Sequence, residues 1–352
     1  MKKEMSKNKN VILSFNPKQV VKRLLNSLPD RAQDVIVGRF GLNSEGKSMT
    51  LEAIGKKYGI TRERVRQIEN YAINHIQKSE NYEKEQMIFE EIRDVINKLG
   101  GVISEDDLLK SLGKDKITQK YIHFLLVIGD SFNKIKEDAE FKHHWHLDIS
   151  LADKIHDALR NLYEKLGDDE IIPESEIITS FLEHLKDLSD EYKKDEILTR
   201  WLAISKNIAK NPLGDWGKAK SSNIKTKGVR DYAYLILRKH GSPIHFREVA
   251  KLIGEVFNKK AHIATTHNEL IKDPRFVLVG RGLYALKEWG YSTGVVRDVI
   301  KEILKKENRP LTKEEILDKV LKERYVKANT VMVNLQNPKY FKKNKQGMYT
   351  II

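Results

Sequence analysis

Beyond residue 84 the chain repeats itself weakly, about every 60 to 70 residues, and an internal period constrains architecture more tightly than any single local propensity. Each copy opens on an amphipathic helix: MIFEEIRDVINKLG, LADKIHDALRNLYEKLG, VRDYAYLILRKHG and VVRDVIKEILKKENR. A short extended stretch and a second helix follow, as in GVISEDDLLKSLG, SPIHFREVAKLIGEVF and RPLTKEEILDKVLKE. A third helix then leads into two short strands that close on an aromatic, as in RFVLVGRGLYAL and YFKKNKQGMYTI. Helix, strand, helix, helix, hairpin is the order of a winged helix. Gly282 and Gly347 fall where a tight wing turn needs positive φ. Pro274 and Pro338 end the third helices, and Thr312 with Glu315 spells a capping box. The second copy fits worst, with long helices and a short wing. The polar, glycine-rich stretch NIAKNPLGDWGKAKSSNIKTKG, around 207–228, is expected to be a linker.

The 352 residues are 40% hydrophobic and 32% charged, which suits several small cores rather than one large one. No apolar run nears the roughly 20 residues of a membrane span. The N-terminus, MKKEMSKNKN, has a signal peptide's lysines but neither its apolar stretch nor its cleavage site. With no cysteine, disulfides and thiolate metal sites are excluded, and a cytoplasmic protein is expected. The net charge of +14 is unevenly spread. Residues 1–84 carry +8, residues 85–150 and 151–220 carry −4 each, and residues 221–291 and 292–352 carry +7 each. Basic ends around an acidic middle imply modules with different partners, polyanions for the ends.

The segment GLNSEGKSMTLEAIGKKYGITRERVRQIE, residues 41–69, holds two competing signals. Gly41 to Ser48 satisfies the P-loop pattern, and FLLVIGD, ending at Asp130, resembles a magnesium-binding strand. A P-loop, however, needs a buried parallel strand before it. The residues before Val35 have helical spacing, and no strand–helix series follows. An ATPase is therefore the remote alternative.

The other signal is more specific. A helix-turn-helix needs a small residue where its helices cross, a glycine at the turn and apolar residues at fixed offsets. Gly55 and Gly59 meet the first two needs, and Ile54, Tyr58, Ile60, Val65 and Ile68 the third. Thr61 is an N-cap. The outward face then offers Arg62, Glu63, Arg66 and Gln67 to base edges. Lys56, Lys57, Thr61 and Arg64 are expected at phosphates, which position without specifying.

LPDRAQDVIVGRFGLNSEGKSMTLEAIGKKYGITRERVRQIENYAINHI resembles region 4 of the sigma-70 family of bacterial RNA polymerase sigma factors, through RFGL and TLEAIGKKYGITRERVRQIE. The resemblance implies double-stranded promoter DNA of the minus 35 type as one partner. It implies the polymerase core as another, with the β flap received by the helices of about Lys18 to Phe40. Val20, Val21, Leu24, Leu25, Val35, Ile36 and Phe40 exceed what one small helix-turn-helix needs for its own core. After RQIE, where the family usually has basic residues, stand Asn70, Tyr71, Asn74 and His75. Nothing resembles region 2, which melts DNA, so an auxiliary factor is expected rather than a self-sufficient sigma factor. The third repeat resembles a HARE-HTH domain, the winged helix of the polymerase delta subunit, through PIHFREVA, HNEL and GRGLYAL.

In that third repeat His262, Thr265, Thr266, His267 and Asn268 lie on the expected recognition helix, with Arg275 and Arg281 near the wing. Lys339, Lys342, Lys343 and Lys345 crowd the last wing. All are candidate secondary DNA contacts. KHHWH puts His144 and His146 on one face of a strand, but a third metal ligand is missing. A wing strand with buried Trp145 is the favoured reading. The expectation is thus a mainly α chain: a helix-turn-helix over 17–80, acidic winged-helix-like repeats over 85–150 and 151–220, and basic ones over 228–290 and 294–352. No catalysis, cofactor, metal, membrane or small-molecule substrate is expected. The function expected is a sigma-like, nucleoid-associated transcription factor of a bacterial cytoplasm. The alternative is a stand-alone DNA-binding regulator, or architectural protein, without polymerase contact.

Overall fold

The computed structural model describes residues 12–291 and 294–352, so the lysine-rich MKKEMSKNKN lies outside the described residues. The chain is mainly helical with small antiparallel sheets. It forms two compact units. The first runs to Gly167 and takes in Ile172–Ala209; the second comprises Asp168–Ile171 and Lys210–Ile352.

The first unit begins with α1 (Pro17–Leu25), α2 (Asp30–Phe40), α3 (Leu51–Tyr58) and α4 (Arg62–Gln77). Local chemistry sets these ends. The Asn16 side chain accepts from the N–H groups of Lys18 and Gln19, with Pro17 at the first helical position, where its missing donor costs nothing. Next come α5 (Glu80–Lys84), α6 (Gln86–Lys98), β1 (Val102–Ser104), α7 (Glu105–Leu112), α8 (Lys116–Ile128), β2 (Asn133–Ile135) and β3 (His144–His146). Strand β3 lies between β1 and β2, all antiparallel, with Trp145 opposite Ile103 on one side and Lys134 on the other. Ser104 caps α7 and Asp115 caps α8. Helices α9 (Ile149–Lys165), α10 (Glu174–Glu183) and α11 (Asp195–Leu202) follow.

The helices Pro17–Phe40 and the first repeat share one core. Val20, Val21, Leu24, Leu25, Ile36 and Phe40 are at most 8% exposed and cluster with Tyr121, Ile122, Phe124 and Leu125 of α8. Phe40 meets Phe124 edge-on with ring centroids 5.0 Å apart, and the Tyr121 hydroxyl donates to the Leu42 carbonyl at 2.9 Å. Each such side chain contributes on the order of 1.5–3 kcal/mol by leaving water. The apolar surplus read in the sequence is therefore satisfied within the chain. Val35 is buried as well, but in the helix-turn-helix core rather than against α8. FLLVIGD is the end of α8, not a strand. Asp130 accepts from the Gln77 amide at 2.9 Å and from the Tyr82 hydroxyl at 3.2 Å.

After β4 (Ile208–Lys210), the second unit contains β5 (Trp216–Lys218), α12 (Val229–His240), β6 (Ile244–His245), α13 (Phe246–Phe257), α14 (Ile263–Lys272), β7 (Phe276–Gly280) and β8 (Leu283–Leu286). Strand β8 sits between β6 and β7. A further copy runs through α15 (Val296–Glu307), α16 (Lys313–Glu323), α17 (Ala328–Leu335), β9 (Phe341–Lys343) and β10 (Tyr349–Ile351). The Thr312–Glu315 capping box forms, and Gly282 and Gly347 turn the two wings at φ 74° and 86°. The Tyr325 N–H donates to the Val279 carbonyl at 3.0 Å. Buried Arg324 donates to the carbonyls of Leu278 and Gly294, so the last copy is fastened to β7.

The expected linker is folded over its second-unit part. Trp216 and Ile224 are each 2% exposed. The Ser221 hydroxyl donates to the Asp169 carboxylate at 2.9 Å, and the Asn223 amide donates to the Asp169 carbonyl at 3.0 Å. Two apolar anchors and a set of satisfied polar groups outweigh the flexibility that its composition suggests.

Candidate nucleic-acid interface

Helices α3 and α4 are positioned by a small core of Val35, Ile54 and Val65, flanked by Met49, Leu51, Tyr58, Ile60 and Ile68. Thr50 accepts from the Ala53 N–H at 3.1 Å and Thr61 from the Arg64 N–H at 3.2 Å, so each helix starts on a side-chain cap. A Cβ on Gly55 would lie 2.6 Å from the Ile60 carbonyl oxygen, which is why the crossing requires glycine. Gly59 ends α3 in the left-handed region, at φ 64°. The Tyr58 hydroxyl donates to Asp34 at 3.1 Å, and Arg39 lies 3.5 Å from Glu69, tying α2 to both helices.

Arg62, Glu63, Arg66 and Gln67 are all exposed on the first turns of α4, as are Lys56 and Lys57 on α3 and Thr61 and Arg64 at the turn. Lys56, Thr61, Arg62 and Arg64 line one shallow concavity with Gly55 and Gly59. The expected readers pair among themselves. Arg66 holds Glu63 through two bonds of 2.9 and 2.6 Å, and Arg64 donates to the Gln67 amide oxygen at 3.0 Å. Arg62 reaches Glu52 at 3.1 Å. The hydrogen bond from Arg66 keeps the Glu63 carboxyl below its ordinary range, and the same bond raises Arg66. Glu52 is held low first by its own backbone N–H and then by Arg62. The i,i+3 spacing of Glu63 and Arg66 was open to sequence reading; the Glu52–Arg62 pair, between two helices, was not.

The P-loop pattern has no P-loop geometry. Gly41 to Ser48 follows a helix, and the next helix begins at Leu51, beyond Lys47 and Ser48. The Asn43 side chain ties the loop by accepting from the Glu45 and Lys47 N–H groups.

Comparison with known proteins matches residues 24–78 to the family Sigma-70, region 4. Residues 24–78 form a sigma-70 region 4. RNA polymerase sigma factor SigA of Listeria monocytogenes serovar 1/2a (strain ATCC BAA-679 / EGD-e) is 42% identical over 59 residues, 17% of this chain. The match spans 16% of that relative's length. Region 4 here includes α2, α3 and α4 with the loop between α2 and α3.

Outside region 4, the expected DNA contacts of the third repeat separate into two sets. Thr265 and Asn268 are exposed on α14, His262 is exposed at its N-cap position, and Arg281 is exposed in the wing. Thr266 is fully buried, with its hydroxyl donating to the His262 carbonyl at 3.0 Å. His267 stacks on Phe246 with centroids 4.1 Å apart. Arg275 is also held inward. It donates to Asp273, to Asp231 at 3.2 Å and to Asn223 at 2.8 Å, and lies 5.0 Å over the Tyr234 ring. Burial opposes its charge, but the bonds to Asp273 and Asp231 outweigh that and raise it. Thr266 and His267 turn inward because a helix of ten residues must turn part of its surface to the core, and Arg275, between α14 and β7, is held there by its acidic partners. Lys342, Lys343 and Lys345 are exposed around the last wing.

Of KHHWH, His144–His146 form a buried wing strand, with Trp145 3% exposed. His144 Nδ1 donates to the Lys142 carbonyl at 2.7 Å, which leaves its Nε2 as the acceptor for the His156 Nε2–H at 3.0 Å. Among the described residues no group of three His, Cys, Asp or Glu is placed to hold a metal. None of the described helices is long and apolar enough to cross a membrane.

Proposed function

We propose that the chain is a DNA-binding transcription factor that presents the first turns of α4 to the major groove of promoter-type DNA of the minus 35 kind. The observation that carries this reading is the match of residues 24–78 to sigma-70 region 4, on a segment where Arg62, Glu63, Arg66 and Gln67 are exposed together. Arg and Gln at these positions suit guanine and adenine edges, and Glu suits cytosine N4. Lys56, Lys57, Thr61 and Arg64 are assigned to phosphates. Action at RNA polymerase belongs to the proposal, supported by the printed name of the SigA relative and by the delta-like pattern of the third repeat. Selection from random duplexes tests the DNA half: an enriched motif that changes in Arg66→Ala supports it, and no enrichment overturns it. Co-purification of core polymerase subunits with the tagged chain tests the other half.

A second reading, a DNA-binding regulator without polymerase contact, is favoured by one observation. The apolar face of α1 and α2 is already filled by α8. A flap docking there would have to displace Tyr121 and Phe124, so polymerase contact requires either that displacement or another surface.

A further inference from the structure

The segment from Ala219 to Arg230, composed like a linker, is held in one conformation. Ser221, Asn223 and Ile224 are buried, and the Lys225 N–H donates to the Ser221 carbonyl at 2.9 Å. Arg275 binds the segment from the other side through Asn223. The segment therefore presents its cations from fixed positions. Lys220, Lys225, Lys227 and Arg230 are exposed or half-buried and line an open cleft of about 750 Å³ that Thr265 of α14 also lines.

Two carboxylates reach the same cleft. Asp231 accepts from the N–H groups of Lys227 and Gly228 at the start of α12 and from Arg275, and it also lies 4.0 Å from Arg230 of the cleft. Glu269 is the other. Among the described residues, Lys220, Lys225 and Lys227 have no carboxylate partner within 4.0 Å. The cleft is thus a preformed cationic surface, and it adjoins the exposed face of α14 that carries Thr265 and Asn268, with His262 at the helix N-cap.

We infer that this cleft takes the sugar-phosphate backbone of duplex DNA alongside the exposed face of α14, as a DNA contact separate from α4. Several cations around an open trough suit a run of phosphates better than a single anion. None of the residues lining the cleft is aromatic, whereas single-stranded nucleic acid is held largely by stacking on aromatic rings. The inference rests on the DNA-binding reading of the chain, and its test separates the two.

The test uses the full chain and a duplex, with affinity measured across a salt series. Lys225→Ala with Lys227→Ala should make the log–log slope shallower by about 1.8, at about 0.9 for each phosphate that is no longer neutralised. Lys225→Arg with Lys227→Arg should restore the slope, which a purely structural role for the lysines would not require. The motif selected by the alanine variant should equal that of wild type, because phosphate contacts carry no sequence information. An unchanged slope in the alanine variant overturns the inference, as does better competition by single-stranded RNA than by duplex of the same length. Failure of wild type to select any motif counts against the reading of α4 and leaves the slope test of the cleft intact.

Discussion

Arg66 and Glu63 hold each other through two charge-assisted hydrogen bonds, 2.9 and 2.6 Å long, on the exposed first turns of α4. Two groups assigned to base reading thus occupy each other in the free protein, and DNA must part or re-aim them. Glu63→Ala should therefore strengthen binding to random duplex, since it frees Arg66 and removes a negative charge facing phosphate. Arg66→Ala and Gln67→Ala should each lose roughly 5- to 150-fold at the matched base pair. Competition between selected and random duplexes checks both. Equal losses on the two duplexes would sink the base-reading assignment.

Gly55→Ala should destabilise region 4 more than Gly59→Ala does. At Gly55 the added methyl meets the Ile60 carbonyl at 2.6 Å, and backbone cannot step aside; such overpacking costs about 1–3 kcal/mol. At Gly59 a Cβ meets nothing within 4 Å, so only the left-handed backbone conformation opposes the change, by roughly 1–2 kcal/mol. Urea denaturation ranks the two, and the reverse order would contradict the crossing geometry.

Phe124→Ala should lower stability by about 3–5 kcal/mol, the range for an aromatic removed from a core; its side chain is 0% exposed. Because Phe124 packs on Phe40, the loss should reach α1 and α2 and not remain within the first repeat. Hydrogen exchange in the variant should show Pro17–Phe40 and Lys116–Ile128 losing protection together. Full protection of α1 and α2 beside an exchanging α8 would refute the shared core.

Acidification should destabilise the first unit in a window set by histidines before carboxylates contribute. Burial, then the neighbouring His144 and Arg160, press the His156 pKa from 6.5 to about 4, and burial also lowers His144. The native protein refuses a proton that the unfolded chain accepts, so this stability is present above pH 6.5 and is lost progressively toward pH 4. Glu105, held at about 2 against its burial by the neighbouring His123 and Lys134, acts only below its ordinary 4.5. Denaturation midpoints from about pH 7.5 down to about 4 measure the effect, and His156→Phe should flatten that dependence. An equally steep decline in the variant would place the responsible group elsewhere.

What the sequence determined by itself was what short spacing determines. The cap Thr61, the crossing at Gly55, the turn at Gly59 and the packing of Ile54 and Val65 all fall within about twenty residues, where helix periodicity leaves few arrangements. The wing turns at Gly282 and Gly347 and the Thr312–Glu315 box were legible for the same reason. Tertiary structure decided what depends on burial between distant segments. The apolar residues of α8, KITQKYIHFLLVI, cover too much of its circumference for a one-sided helix, which was a signal that it packs on two sides. That its second partner is α1 and α2 could not be read, because hydrophobic attraction has no direction and any apolar face would satisfy it. The same limit hid the inward turn of Thr266, His267 and Arg275 on a helix and wing whose polar residues all looked available. It also hid the fixed loop of Lys225 and Lys227, since the hydrogen bonds of Ser221 and Asn223 to Asp169 bridge some fifty residues of chain.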